Sequence, residues 1–386
     1  MNIVVNSLDI LDANGTSFEK CLEHYKKGNA HNIRRYEEPL VEGLPRYDIP
    51  LSNEDLQLEL ESRDFKEHYL SRAIKLATLA TLRATEGISI PKNTIVIGVT
   101  LQAPQDISWN IWKNWTNEKK GVSPRWGAAC TQSAICTTIS RTLRLTGPSF
   151  MVNQACSAFQ TAVDIANKYL ESKETDMVLI AGVDCVTDPP ITTYIFNSMG
   201  VITKDKIRPF DKKRSGMAMG EAAFCYVLTR EEDAQKRLAK FSDVCVYNDY
   251  YHLTAHNPDG TAGKFILDKL THGFTKKIDA VNCHATATKV GDEAELEALE
   301  MFPEPLYIYG LKGSVGHTMA TSGGVETAYS ITGLREGWIP YTSVTDDVLD
   351  TKHKIVLHNI LEKETNNFIK LSFGFGGVST GILVEK

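Results

Sequence analysis

The chain has 386 residues, 42% of them hydrophobic, and a formal net charge of -6. Its apolar content is enough for one large core or two smaller ones, while its acidic balance argues against a nucleic-acid binder, which carries a basic excess. No apolar run reaches the 18 residues of a membrane span, and the opening "MNIVVNSLDILDANG" lacks the basic stretch of a signal peptide.

In chain order, "IVVNSLDI" reads as a first strand, 62–86 as a helix, "NTIVIGVT" as a strand and 126–145 as a helix. A small-residue segment then leads into "VNQACSAFQTA" and a helix over 156–173, with Ala158, Phe159, Ala162, Ile165, Ala166 and Tyr169 at helical spacing. "DMVLIAGVD" is almost continuously apolar, as a central strand covered on both faces requires, and "AAFCYVLTR" follows as another strand. Beyond the charged stretch "TREEDAQKRLAK" come "VCVYN", "DAVNCHA", a helix over 291–301, "LYIYGLKG", a helix over 320–336, "FIKLSFG" and "TGILVE". Strands alternating with helices define an α/β fold with helices packed on sheets. A strand opens each half, near 3 and near 241, and an antiparallel strand closes each, which suggests a topological duplication divided into 1–238 and 239–386.

Eight cysteines stand at 21, 130, 136, 156, 185, 225, 245 and 283, with no C-x-x-C pair. Neither a zinc site nor a disulfide framework is expected, and a reducing cytoplasm is the compartment that fits. Most of these thiols read as small core residues. Cys156 differs in standing beside the start of a buried helix, where the dipole and free N–H groups stabilise a thiolate. Its local pattern alone favours a packed thiol.

Four further segments carry chemistry-bearing residues. In "IRPFDKKRSGMAMGEAAF", Arg208, Lys212, Lys213 and Arg214 form either a solvated charged loop or a docking surface for an acidic partner. "VNCHATATKVGDEAE" runs a strand into His284, Thr286 and Thr288, then a Gly-Asp turn that opens a helix. Strand ends are where α/β proteins bind ligands, and an imidazole there is either a satisfied core residue or a donor to a developing oxyanion. "GLKGSVGHTMATSGGVET" sets Lys312 and His317 in a small-residue turn, with Glu295 as a candidate partner for the lysine charge. "LSFGFGGVSTG" places Phe373 and Phe375 in a glycine-rich loop able to gate a pocket or supply backbone N–H groups.

Taken together, "TGPSFMVNQACSAFQTA", "RPFDKKRSGMAMGEAA", "YHLTAHNPDG", "HATATKVGDEAE", "KGSVGH" and "SFGFGG" resemble, in order, the motifs of the β-ketoacyl-acyl carrier protein synthases. These are elongating condensing enzymes with a thiolase-like fold. The resemblance covers most of the chain and implies two similar mixed-sheet halves in an α-β-α-β-α sandwich, residues 1–238 carrying the nucleophile and 239–386 both histidines. It implies that Cys156 accepts an acyl chain and that His284 and His317 support malonyl decarboxylation and hold the enolate oxygen. Lys312, tied to Glu295, is implied as partner of the second histidine. Thr286 and Thr288 are implied to hold the pantetheine arm, Phe373 and Phe375 to gate it, and the N–H groups of Cys156 and Phe375 to form the oxyanion hole.

No metal or resident cofactor is implied, because phosphopantetheine arrives on the carrier protein. The expected partners are an acyl carrier protein and a second chain, identical or related, with no nucleic acid and no membrane span. Three departures from the family pattern stand out: Phe159 three positions after the nucleophile, Ala285 for the usual glycine, and Gly313 for the usual serine. Phe159 is expected to narrow or redirect the acyl pocket, and the departures favour a specialised polyketide or polyene system over housekeeping fatty-acid elongation. A chain-length-setting structural partner and a non-decarboxylative thiolase are the competing readings.

Overall fold

A computed structural model of the chain describes residues 3–28, 33–118, 121–186, 190–255 and 257–386. His256, in "YHLTAHNPDG", lies outside them. All nine apolar runs read as strands do pair, within one eleven-stranded sheet. Its strands are β1 (Ile3–Leu11), β2 (Ile95–Val99), β3 (Ser149–Val152), β4 (Met177–Asp184), β5 (Ala222–Arg230), β6 (Ala239–Asn248), β7 (Ala280–Asn282), β8 (Tyr307–Tyr309), β9 (Lys354–Ile355), β10 (Asn367–Phe373) and β11 (Val378–Glu385). The two that sequence reasoning missed, β3 and β9, are the short strands at the two edges.

Two sets of five strands repeat one arrangement. In the first, β1 runs antiparallel to β5 and β5 to β4, while β4, β2 and β3 are parallel. In the second, β6 runs antiparallel to β11 and β11 to β10, while β10, β7 and β8 are parallel. Antiparallel pairing of β1 with β6, from Ile3 opposite Phe241 to Val5 opposite Ala239, joins the sets.

Strand alternation sends successive side chains to opposite faces. Val178 and Ile180 of β4 face one hydrophobic cluster, and Leu179 and Ala181 face another. The shared inner cluster holds α3 (Ala158–Glu171) and α8 (Ser322–Glu336) between both sets of strands. Outside lie α1 (Arg72–Ala84) and α2 (Ala134–Thr142) on the first set, and α5 (Thr261–Thr271) and α6 (Lys289–Leu299) on the second. Helix, sheet, helix, sheet and helix thus follow one another as the five layers of a thiolase-like sandwich.

The helix expected over 62–86 begins only at Arg72. Residue Asp64 turns through a left-handed φ of 62°, and the Ser71 side chain restarts the helix by accepting from the Ile74 N–H at 3.1 Å. Among the described residues no helix is long and apolar enough to cross a membrane.

Candidate active site

Cys156 sits two residues before α3, after Ala155 at φ 46°. That left-handed residue turns the chain sharply from β3, so the thiol projects from the mouth of the buried helix. Ser157 donates to the Val378 carbonyl at 2.6 Å, and Gln160 donates to Ser372 Oγ at 2.7 Å. The start of α3 is thereby fastened to the 373–378 loop. Gly377 in that loop has φ 79°, and a Cβ there would lie 1.8 Å from the Asp249 carbonyl oxygen. Asp249 N–H donates to Gly377 O and Gly376 N–H to Leu253 O, both at 2.7 Å. The loop expected to swing is hydrogen-bonded to the 249–253 segment.

His317 enters from the turn between α7 (Lys312–Val315) and α8. Its backbone is clamped by the end of the "RPFDKKRSGMAMGEAA" block, through His317 N–H to Ala218 O at 2.8 Å and Gly220 N–H to His317 O at 2.9 Å. Further back, Phe210 N–H donates to Asp292 at 2.6 Å, and Gly216 N–H to Ala287 O at 2.9 Å. The block is therefore a strap across both histidine loops.

Its basic residues serve that strap or the local surface. Arg214 is 4% exposed and bonds Glu293 at 2.5 Å and the Lys289 carbonyl at 2.8 Å, so it is structural and not part of a docking face. Arg208 pairs with Asp205 at 2.8 Å, and Lys212 lies 3.6 Å from both Asp347 and Asp350. Neighbouring acids thus offset the expected basic patch, leaving Lys213 exposed beside them.

The thiol and the two imidazoles converge. Cys156 Sγ is 3.2 Å from His317 Nε2, and the sulfur and one nitrogen of each of His284 and His317 lie within 4.8 Å of one another. His317 Nδ1 receives the Met319 N–H at 3.0 Å, with Ser322 Oγ at 3.1 Å. A backbone N–H only donates, so Nδ1 is the acceptor and the ring proton sits on Nε2, facing the sulfur. Burial, with Lys312 and Lys370 adding to it, pushes the imidazole well below its ordinary pKa, and His317 is neutral. His284 Nδ1 faces the Lys312 ammonium at 3.4 Å, which likewise leaves its proton on Nε2. Two Nε2–H groups aimed into one space suit a developing oxyanion better than a metal ion.

Lys312 corrects two expectations. Its Nζ donates to the His284 carbonyl at 2.5 Å, so its imidazole is the first histidine and not the second. Its acid is Glu326 at 2.7 Å, not Glu295. Glu295 instead accepts the N–H groups of His284 at 2.5 Å and Ala285 at 2.8 Å and shapes that turn. Ala285 there holds φ 49°, with its methyl in the space left by Gly310, where a Cβ would lie 2.3 Å away. The other departure has a similar cause. A Cβ on Gly313 would meet Ser343 Oγ at 2.5 Å, so Ser343 fills that place.

A cavity of about 450 Å³ opens from this centre. Thr286, Thr288 and Thr254 bring hydroxyls to its lining, and Phe373, Phe375, Met217 and Phe196 of α4 (Ile191–Ser198) supply apolar surface. Thr286 and Thr288 share a 3.0 Å hydrogen bond, and Thr288 caps α6 through Gly291 N–H at 3.2 Å. The helix begins at Lys289, so the expected Gly-Asp turn falls inside its first turn. Phe159 is the correction here. It is fully buried and packs against Phe224 at 5.4 Å and Tyr226 at 4.9 Å between ring centroids, and it does not line the cavity. Its size tightens the inner core and leaves the cavity walls to other residues.

Burial pushes the Cys156 thiol up to about 12, against a downward pull from Lys312. Desolvation outweighs the helix terminus, and the resting side chain is a thiol. Alkylation of Cys156 by iodoacetamide is accordingly slow at pH 7 and rises roughly tenfold per pH unit towards pH 10, following the thiolate fraction. A rate independent of pH over that range contradicts a buried, protonated thiol.

A buried cysteine and two imidazole donors on a thiolase-like sandwich define the site of a condensing enzyme. Residues 71–234 match the beta-ketoacyl synthase N-terminal domain and residues 238–345 its C-terminal domain. A 3-oxoacyl-[acyl-carrier-protein] synthase homolog of Saccharomyces cerevisiae is 29% identical over 75% of this chain and 70% of the relative. Further curated relatives are matched over 54% to 64% of their length. The ishigamide ketosynthase/chain length factor superposes with a TM-score of 0.88 at 22% identity, covering 100% of this chain and 99% of the other. A type II polyketide ketosynthase, AntDE, solved with the acyl carrier protein AntF, superposes with a TM-score of 0.86 at 16% identity, covering 100% and 99%. The chain belongs to the beta-ketoacyl synthase family of acyl-transferring condensing enzymes.

Sequence reasoning missed Glu326 and Lys370. Glu326 stands in the quoted stretch "TSGGVET", where a lone acid in an otherwise small and apolar helix start was the available signal. Lys370 interrupts the apolar strand "FIKLSF" in the same way.

Proposed function

We propose that the chain elongates a Cys156-bound acyl group with a malonyl unit carried on an acyl carrier protein. The observation that carries this reading is the 3.2 Å approach of Cys156 Sγ to the Nε2–H of a neutral His317, with His284 converging on the same space. The Cys156 thiol gives up its proton as the sulfur attacks the incoming acyl thioester, the carbon–sulfur bond to the carrier breaks, and the carrier sulfur takes up a proton in its place and leaves as a thiol. The N–H groups of Cys156 and Phe375 hold the oxyanion of that step. A malonyl thioester then occupies the cavity, its pantetheine arm along Thr286 and Thr288. Its carboxylate leaves as CO2, and the bonding electrons pass into an enolate whose oxygen accepts from His284 and His317. The enolate carbon attacks the Cys156 thioester, the sulfur leaves, and a β-ketoacyl product two carbons longer remains on the carrier. None of these steps calls for a resident redox cofactor, and phosphopantetheine arrives with the substrate.

An acyl carrier protein is the delivering partner in this reading, and the chain works paired with an identical or related chain. The half-exposed edge strand β3 is the open edge of the sheet on the nucleophile's side, and solved relatives named as ketosynthases with chain length factors support pairing of this kind. Similarity to solved structures named as an ishigamide ketosynthase and a type II polyketide ketosynthase favours a specialised polyketide or polyene pathway. Two assays on the purified protein test the reading: acyl transfer from a carrier thioester, and CO2 release from malonyl carrier. The proposal expects both. Neither activity would point to a chain-length-setting partner, and extension by an acetyl thioester without CO2 would point to a thiolase.

A further inference from the structure

Beneath the two histidines lies a buried charge cluster larger than the condensation chemistry uses. Lys312 and Lys370 are both fully buried, and they divide one carboxylate: Lys312 takes Glu326 Oε1 at 2.7 Å and Lys370 takes Oε2 at 2.5 Å. Lys370, in the middle of β10, also donates to Asn282 Oδ1 at 3.2 Å and to the Cys283 carbonyl at 3.1 Å. Both acceptors belong to the segment that ends in His284. Asn282 in turn donates to the Glu326 carbonyl at 3.0 Å and to Ser330 at 2.7 Å.

We infer that Lys370 is a positioning residue for the reaction, a built-in cation that holds Glu326 so that Lys312 stays on His284. The reading rests on the proposed function above. With Lys370 present, Glu326 gives Lys312 a single oxygen, and the lysine keeps its contacts with the His284 carbonyl and Nδ1. Without it, Oε2 loses its partner in a dry site, and Lys312 is the cation within reach to satisfy both oxygens. That movement draws Nζ from His284 and releases the ring from its donor-outward tautomer. The charged groups facing Lys370 are Glu326 from α8, Lys312 from α7 and Glu295 from α6. Lys370 also helps hold His317 in its neutral form, the second effect through which it reaches the histidines.

The test compares the two half-reactions in the full-length protein with Lys370→Met, which removes the charge, and Lys370→Gln, which keeps a donor for Glu326. Malonyl decarboxylation is expected to fall at least thirtyfold in Lys370→Met, with acyl loading of Cys156 within about threefold of the parent. Removing a positive charge near His317 raises its pKa, so the acid limb of the decarboxylation profile moves to higher pH in both variants. A small alkylammonium ion added to Lys370→Ala restores decarboxylation saturably. Lys370→Gln is expected to fall less than Lys370→Met. Decarboxylation that stays at the parent level in Lys370→Met, or loading and decarboxylation that fall together with an unmoved acid limb, overturns the assignment. The parent protein is measured alongside. If it neither loads nor decarboxylates, the condensation reading itself fails, and this inference with it.

Discussion

Cys156→Ala loses condensation by on the order of 10⁴-fold or more, because the described residues lining the cavity include no second thiol to hold the acyl group. The other seven described cysteines, Cys130 and Cys245 half-buried and the rest buried, all lie outside the cavity lining, so none can substitute. The replacement itself is mild, removing one sulfur from a site packed beside α3, and a stability cost of about 1 kcal/mol is expected. Uncoupled decarboxylation persists, since His284 and His317 keep their Nε2–H groups. Product formation and CO2 release measured on one preparation separate these effects. Chain elongation by the variant at a rate near that of the parent would mean that the nucleophile lies elsewhere.

Glu326→Ala is the largest expected loss of stability. It leaves the ammonium groups of Lys312 and Lys370 fully buried without the carboxylate they share. Removing one partner of a buried ion pair costs about 3–5 kcal/mol, because the remaining charge cannot reach water. Glu295 cannot take over, as its oxygens are committed to the N–H groups of His284 and Ala285. Glu326→Gln keeps the shape and loses less. Urea unfolding of both variants measures the difference, and a change below about 1 kcal/mol in Glu326→Ala would show that the lysines find other partners.

Much of the architecture was legible because it rests on local pattern. Every strand with a long apolar run was readable, down to the continuous burial of "DMVLIAGVD", and the repeat of strand order followed from where antiparallel strands closed each half. The missed edges, Ser149–Val152 and Lys354–Ile355, are only four and two residues long, too brief for "SFMV" or "KI" to show a strand period. The thiol, both histidines and the threonines were legible as residue types beside turns, and the fold brings them to one cavity.

Partner choice was not legible. Whether Lys312 meets Glu295 or Glu326 depends on which helix crosses beneath it, and both acids stand on helices beside the site. Arg214 read as surface charge, yet the strap folds it inward onto the Lys289 carbonyl and Glu293. Phe159 read as a pocket residue because it stands three positions after the nucleophile, where the family pattern has a small residue. Cys156 lies in the turn before α3, so the shared face of residues three apart within a helix does not extend to it, and Phe159 points instead into the aromatic cluster of Phe224, Tyr226 and Phe241. Ala285 and Gly313 depart from the family pattern for packing reasons, against Gly310 and Ser343, and both lie outside the cavity lining.

Intact-protein mass spectrometry after incubation with a panel of acyl carrier thioesters, followed by peptide mapping, tests the central claim most directly. A single acyl adduct on the peptide containing Cys156, absent from Cys156→Ala, is the predicted result. An unmodified protein across the panel, or an adduct on another residue that survives in Cys156→Ala, would contradict it.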